Sequence, residues 1–329
     1  VNGLASARVL IRAPNWLGDV VLALPAVRDV RRAFPAARLS VLARPSVAAL
    51  FEAVPEVDEV VTANGARAEI AAQRSRFDLV LLLTNSIGTA MAAAAARVPE
   101  RWGYGTQGRG MLLTRSAPVP ASVRGRSQVH YYRSMLAALG LPTSDALETS
   151  LTPPSAWIDA GRVFLGPGRF FGVAPGAAKG TAKRWPPERF AAAADRIASE
   201  LGAQAVLLGS AADESAALAV AKAMTSPAKN LAGRTDLRAF VGLVASLDGL
   251  IANDSGAMHL GAAVGIPTVG IFGPTNSDET HPVGRRAGYL RGVAECSPCR
   301  HVTCPIDHRC MTSVAPASVV ELLLREARS

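Results

Sequence analysis

The chain has 329 residues, 49% of them hydrophobic and only 5% aromatic, with a formal net charge of +9. That length allows two domains with proper cores, and the aliphatic bias suits parallel sheets covered by Ala-rich helices. Residues 1–150 hold 17 Arg, no Lys and 11 acidic residues, net +6, while residues 151–329 hold 18 Lys+Arg and 15 acidic residues, net +3. A basic N-terminal half points to an acidic partner: nucleic acid, a membrane surface or a phosphorylated substrate. An Arg-rich composition kept for solubility accounts for the same count. Arg8 and Arg12 interrupt the first apolar run and exclude a signal-peptide core there. The longest uncharged stretch, Leu79 to Ala96, is broken by Thr84-Asn85-Ser86-Ile87-Gly88, so it reads as strand, loop and helix rather than a membrane span. A cytoplasmic protein with reduced cysteines is expected.

In chain order, Arg8 to Ala13 is a short strand and 18–34 a helix with Val20, Leu24, Val27 and Phe34 at helical spacing. Strands follow at Leu39 to Leu42, Val57 to Val61, Phe77 to Leu83 and Arg101 to Tyr104. Thr152-Pro153-Pro154 and Gly166-Pro167-Gly168 bracket a break, and residues 156–169 are expected to be a linker. A second series then begins: strand at Phe171 to Ala174, helix at 187–201, strand at Ala205 to Leu208, helix at 211–224. Helix 236–246, strand 247–252, helix 257–264 and strand 267–272 complete it. Strands alternating with helices imply βαβ units and parallel sheets. Two doubly wound α/β domains facing a cleft, 1–155 and 170–329, are the expected architecture. Ligands then sit at the carboxyl ends of strands.

Four motifs fall at such ends. Pro14-Asn15-Trp16-Leu17-Gly18-Asp19-Val20 follows the first strand. It lacks the Gly-x-Gly-x-x-Gly of a dinucleotide site, and no Walker-type Gly-Lys-Ser/Thr occurs in the chain. Asp19 either complements the helix dipole or serves as a general base. A free Asp has a pKa of about 3.9, so it takes an alcohol proton only late in a displacement.

Ala174-Pro175-Gly176-Ala177-Ala178-Lys179-Gly180-Thr181-Ala182-Lys183-Arg184-Trp185-Pro186 follows the first strand of the second series. Its small residues let backbone N–H groups face a ligand, and Lys183 and Arg184 bring cations for a diphosphate. A flexible basic loop is the plainer reading. Leu208 to Glu214 is another strand-to-helix turn, where Asp213 or Glu214 caps the helix or accepts from a ribose diol.

Asn253-Asp254-Ser255-Gly256-Ala257-Met258-His259 joins an apolar strand to a small-residue helix. Gly256 and the free N–H groups of the first turn make an anion site. Asp254 would repel a phosphate, so it orients the loop or accepts from a sugar hydroxyl. A tight turn with Asp254 or Ser255 as N-cap fits the same residues. The fourth motif is Cys296, Cys299, Cys304 and Cys310, with His301 and His308 interleaved. Four Cys in 15 residues with one C-x-x-C can hold a structural zinc, although the spacing is tighter than common zinc modules. Reduced surface thiols or a labile disulfide are the alternatives.

Together and in this order, these motifs resemble glycosyltransferase family 9, the bacterial lipopolysaccharide heptosyltransferases. The resemblance also includes Leu83-Thr84-Asn85-Ser86, Arg101-Trp102-Gly103-Tyr104, Gly209-Ser210 and Phe272-Gly273-Pro274-Thr275, and it runs nearly end to end. It implies a GT-B fold of two Rossmann-like domains, with the acceptor on the N-terminal domain and the nucleotide sugar on the C-terminal one. It implies inverting transfer of heptose from ADP-heptose to a heptose–Kdo–lipid A acceptor at the inner leaflet, with no required cofactor. By resemblance Asp19 is the base, Lys183 contacts the diphosphate, and Asp213 or Glu214, Asp254, Ser255, Gly256 and His259 bind the nucleotide sugar; Gly176 and Arg184 of the basic loop are read as donor contacts beside them. Candidate acceptor contacts are Arg12, Asn15, Asn85, Arg67 and Arg109, with Arg74 beside them. A peripheral contact with the cytoplasmic face of the inner membrane follows from a lipid-anchored acceptor. The rival readings are another nucleotide-sugar transferase or epimerase on the same scaffold, and a basic nucleic-acid or membrane-surface binder. The chain lacks the aromatic-plus-basic clusters of a nucleic-acid binder, so no nucleic-acid partner is expected.

Overall fold

The computed structural model describes residues 7–178 and 180–329. The chain divides into two compact units, Val1–Thr149 and Ser150–Ser329.

In chain order the first unit contains β1 (Arg8–Arg12), α1 (Leu17–Ala33), β2 (Arg38–Ala43), α2 (Pro45–Ala48), β3 (Glu59–Thr62), α3 (Ala66–Gln73), β4 (Leu79–Leu82), α4 (Ile87–Ala95), β5 (Glu100–Tyr104), β6 (Arg115–Ala117) and α5 (Gln128–Ala138). The six strands form one parallel sheet in the order β3-β2-β1-β4-β5-β6. Register is fixed by pairs such as Ile11↔Val41 and Ile11↔Leu81. β4 is buried at every position and β1 at all but Arg8, as parallel strands covered on both faces must be. Leu10, Leu42, Val80 and Leu82 pack with Ala90 and Ala93 of α4. The chain reverses direction across the sheet between β1 and β4, so the carboxyl ends of these two strands frame a natural ligand crevice.

The second unit repeats this plan with α6 (Ser155–Leu165), β7 (Phe170–Ala174), α7 (Pro187–Leu201), β8 (Gln204–Leu207), α8 (Glu214–Ala223), β9 (Ala228–Asn230), α9 (Leu237–Ala245), β10 (Leu250–Asn253), α10 (Gly256–Val264), β11 (Thr268–Phe272), α11 (Ser277–Thr280), β12 (Ala287–Arg291), α12 (Arg309–Thr312) and α13 (Pro316–Arg328). Its sheet runs β12-β11-β10-β7-β8-β9, all parallel. The reversal here lies between β7 and β10. Phe171, Val173, Ile251, Val269 and Ile271 build its core with Phe190 and Ile197 of α7.

Residues 156–169, expected as a linker, carry most of α6 instead. Trp157, Gly161 and Leu165 are buried at helical spacing, and α6 packs on α9. The prolines and glycines mark the ends of that helix: Pro154 is its N-cap, and Gly166 ends it at φ +75°. The last helix, α13, packs on α7 and on β11 and β12 of its own unit.

Candidate functional site

The strand ends at the two sheet reversals hold many of the polar residues singled out in the sequence. In the second unit, Asn253 ends β10 and is fully buried. Its amide Nδ2 donates to the Pro175 carbonyl at 2.7 Å, and its Oδ1 accepts from the Trp185 N–H at 3.0 Å. One side chain thus ties both ends of the loop after β7 to the end of β10. Trp185 anchors the far end: it is buried, stacks edge-on to Phe190 at 4.9 Å, and donates Nε1–H to the Val314 carbonyl. Lys183 is thereby aimed at the start of α10. Its Nζ lies 2.5 Å from Asp254 Oδ2, which also accepts from Thr275 Oγ1 at 2.8 Å.

Helix α10 begins at Gly256 with Ser255 as N-cap, yet the Ser255 side chain makes no capping bond and its Oγ is buried without a partner. The first-turn N–H groups are therefore not occupied by a side-chain cap. His259, one turn on, is buried with Nδ1 unpartnered. Burial depresses its pKa to about 4, opposed by the Asp254 charge and aided by Lys183 and His281. The imidazole is neutral at pH 7. An N-terminus without a side-chain cap, a lysine, a neutral histidine and an unpaired hydroxyl gather at one strand end, a polar cluster suited to an anion. Arg184 stands beside Lys183, with its Nε buried and unpartnered.

Asp213 takes the capping role. Its Oδ2 accepts from the Ser210 N–H at 3.0 Å and from Ser210 Oγ at 2.7 Å, closing a capping box. Its carboxyl group also explains Gly176: a Cβ there would sit 2.2 Å from Asp213 Cγ. Glu214 is exposed in the first turn of α8. Lys179 of the sequence motif lies outside the described residues.

In the first unit Asp19 occupies the first turn of α1, after the end of β1. Its charge reaches Tyr132 on α5, whose phenol pKa is raised well above its ordinary value by burial first and by Asp19 next. Asn15 Oδ1 accepts from Arg12 Nη2 at 3.0 Å. Asn85, at the end of β4, donates Nδ2–H to the Tyr131 hydroxyl at 2.7 Å and accepts from Thr106. Burial raises the Tyr131 pKa, so its hydroxyl keeps a proton to donate at neutral pH.

The arginines divide into two kinds. Arg12 is buried and paired with Glu69 at 2.7 Å. Arg109 is fully buried; its guanidinium holds the Tyr104 carbonyl at 2.7 Å together with the Thr84 carbonyl, and burial lowers its pKa. Both brace the strand-end loops from behind. Arg67 and Arg74 are exposed. Tyr131 was not among the residues singled out in the sequence, and Asn253 and Thr275 lay within motifs that were but were given no role of their own. A tyrosine pair on a helix and a Thr after an apolar strand are signals too common to single out alone.

The four cysteines are free thiols lining a cavity of about 60 Å³ with His301, Pro274 and Ala182. Burial raises the Cys310 pKa, with smaller contributions from the other three thiols. Among the described residues, however, no three His, Cys, Asp or Glu side chains converge closely enough to hold a metal ion. The zinc expectation therefore finds no support. The segment's visible role is packing: Val302 accepts from the Ala182 N–H at 3.1 Å, and a Cβ on Gly180 would lie 2.1 Å from the Val302 carbonyl.

Residues 69–309 match the model of glycosyltransferase family 9 (heptosyltransferase). The chain belongs to that family. Relatives of this family 9 glycosyltransferase include the lipopolysaccharide heptosyltransferase 2 of Salmonella typhimurium, 29% identical over 96% of this chain and 97% of the relative. The lipooligosaccharide heptosyltransferase 2 of Haemophilus ducreyi is 30% identical over 86% of this chain and 88% of its own. The solved structure of the E. coli ADP-heptose LPS heptosyltransferase II superposes with a TM-score of 0.83 at 26% identity, covering 98% of both chains. The two doubly wound parallel units are thus those of the GT-B glycosyltransferases, as the sequence led one to expect.

Proposed function

We propose that this glycosyltransferase moves L-glycero-D-manno-heptose from ADP-heptose to the heptose–Kdo–lipid A inner core of lipopolysaccharide. The observation that carries the reading is the Lys183–Asp254 pair at the uncapped start of α10, in a chain similar over nearly its whole length to heptosyltransferases of this step. The second unit holds the nucleotide sugar. Lys183, Arg184 and the α10 N–H groups meet the diphosphate, and their interaction strengthens as the leaving ADP gains charge. Asp254 fixes the lysine and, with Ser255 and His259, faces the sugar.

The first unit supplies the acceptor side. Asp19 takes the acceptor hydroxyl proton while that oxygen forms its bond to the heptose anomeric carbon. The bond from this carbon to the diphosphate oxygen breaks, and ADP departs with the electron pair. Attack opposite the leaving group inverts the anomeric centre. Asn15, Asn85 and Tyr131 offer hydrogen bonds to acceptor hydroxyls, and Arg67 offers a cation to acceptor phosphates or carboxylates. Among the described residues no helix is long and apolar enough to cross a membrane. The lipid-anchored acceptor makes the cytoplasmic face of the inner membrane the working place of the enzyme.

The test is incubation of the protein with ADP-heptose and a core acceptor carrying one heptose, read by mass. One added heptose is expected, with UDP- and GDP-sugars inert as substrates. Transfer from those sugars in preference to ADP-heptose would overturn the reading.

A further inference from the structure

Helix α4 carries no charged residue over its nine positions, Ile87–Ala95. Its inner positions Thr89, Ala90, Ala92 and Ala93 are buried on the sheet. Its outward stripe, Ile87, Met91 and Ala95 at i, i+4 and i+8, is exposed, with Ile87 at 45% and Met91 at 56%. Beside it packs the 3-10 segment Thr106–Leu112, whose Met111 is 93% exposed. A row of large apolar side chains left in water on one face marks a docking surface.

The surrounding charge says what docks there. Between Asn64 and Arg126 the chain has nine Arg and three acidic residues, net +6, the whole excess of the first 150 residues. The three acids are locally engaged: Glu69 with Arg12, Asp78 with Arg8, and Glu100 with the Trp102 indole and Thr114. Exposed Arg67 lies on α3, which packs on α4, and exposed Arg97 follows the end of α4 by two positions. A second copy of this chain would bring like charges together around the patch. An anionic bilayer supplies both an apolar interior and negative phosphates.

We infer that the outer face of α4, with Met111, docks on an anionic lipid surface. Ile87, Met91 and Met111 enter the interfacial zone, and the flanking arginines meet lipid phosphates. The purpose of such docking, holding the first unit where a lipid-anchored acceptor lies, rests on the function proposed above.

The experiment is co-sedimentation of the full chain with vesicles of phosphatidylcholine alone or with roughly one third phosphatidylglycerol, at low and high salt. Wild type is expected to bind the anionic vesicles, to bind neutral ones far less, and to weaken in high salt. Met91→Glu/Met111→Glu should cut vesicle binding by roughly 10-fold or more, and Arg97→Gln by roughly 5-fold. Both should keep wild-type transfer to a delipidated, water-soluble core acceptor. Undiminished vesicle binding by the variants, or equal binding of wild type to neutral vesicles, overturns the inference. So does a wild-type dimer in light scattering that Met91→Glu converts to monomer with vesicle binding unchanged, since a second copy then covers the face. Failure of wild type to glycosylate the soluble acceptor would instead strike the proposed reaction and leave the vesicle result standing.

Discussion

Lys183 and Asp254, 71 positions apart in sequence, form an ion pair whose side chains are only 19% and 6% exposed. A carboxylate at the start of α10 would repel a diphosphate if it stood alone. Paired with Lys183 and accepting from Thr275, it instead orients the ammonium group in front of the helix N-terminus. The pair is thus a holder for a cation, kept partly out of solvent where charge interactions are less screened.

Lys183→Ala is accordingly expected to weaken ADP binding by about 1.5–3 kcal/mol, the scale of one charge-assisted hydrogen bond. Transfer should slow with it, because in the proposed reaction the same cation meets both the bound and the departing diphosphate. Calorimetric titration with ADP measures the first effect. An unchanged affinity would make Lys183 a partner of Asp254 and nothing more.

Asp19→Asn should leave the fold and the ADP affinity intact while lowering turnover by roughly 100-fold or more, the usual scale for a lost general base. Asp19 sits in the first turn of α1 and senses Tyr132, so the neutral amide fills the same space without taking a proton. Single-turnover rates with saturating donor and acceptor decide this. Near-native turnover would remove Asp19 from the reaction.

The central strands were legible because each is a continuous apolar run: Leu79–Leu82 and Leu250–Asn253 are buried at every position. The edge strands β6 and β9 read Arg-Ser-Ala and Ala-Lys-Asn, with no apolar run to announce them. The strand-end motifs were legible for a related reason. Gly, Asp, Ser and Lys stand out where an apolar strand stops. The weight each residue bears was not. Arg12 and Arg109 look like surface cations in a basic half, yet Glu69 and a set of backbone carbonyls hold them inside. Glu69 lies 57 positions from Arg12 and the Thr84 carbonyl 25 from Arg109, and no local pattern reveals either partner. In α6 the punctuation was read and its content missed: prolines and glycines can end a helix as well as a domain.

His259 gives the second unit a pH dependence with a definite sign. Unfolded, its imidazole takes a proton near pH 6.5; folded, burial delays that until about pH 4. As pH falls between those values the unfolded chain binds a proton that the native state refuses. This group's contribution to stability is fully present above pH 6.5 and declines below it by up to about 1.4 kcal/mol per pH unit. Urea unfolding of wild type and His259→Gln at pH 7, 6 and 5 should show a shallower decline in the variant. Parallel declines would mean that folding leaves the pKa of this histidine unchanged.

The last expectation concerns the helix that replaced the anticipated linker. Gly161 on α6 and Gly242 on α9 meet where the two helices cross. A Cβ on Gly242 would lie 1.7 Å from the Trp157 carbonyl oxygen, and one on Gly161 would lie 2.1 Å from the Leu243 nitrogen. The obstructing atoms are backbone, so no rotamer change can make room and the helices must separate. Alanine favours a helix over glycine by about 1 kcal/mol, which would make either exchange stabilising on an isolated helix. Overpacking works against it and commonly costs 1–3 kcal/mol, occasionally more. With rigid backbone on both sides of the contact, overpacking should prevail. Gly242→Ala is therefore expected to lower the unfolding midpoint, whereas Gly202→Ala, at a helix end with nothing near its Cβ, should be affected only by its left-handed φ of +58°. Thermal melts of both variants beside wild type test this. A Gly242→Ala protein as stable as wild type would mean that α6 is not seated on α9 as described.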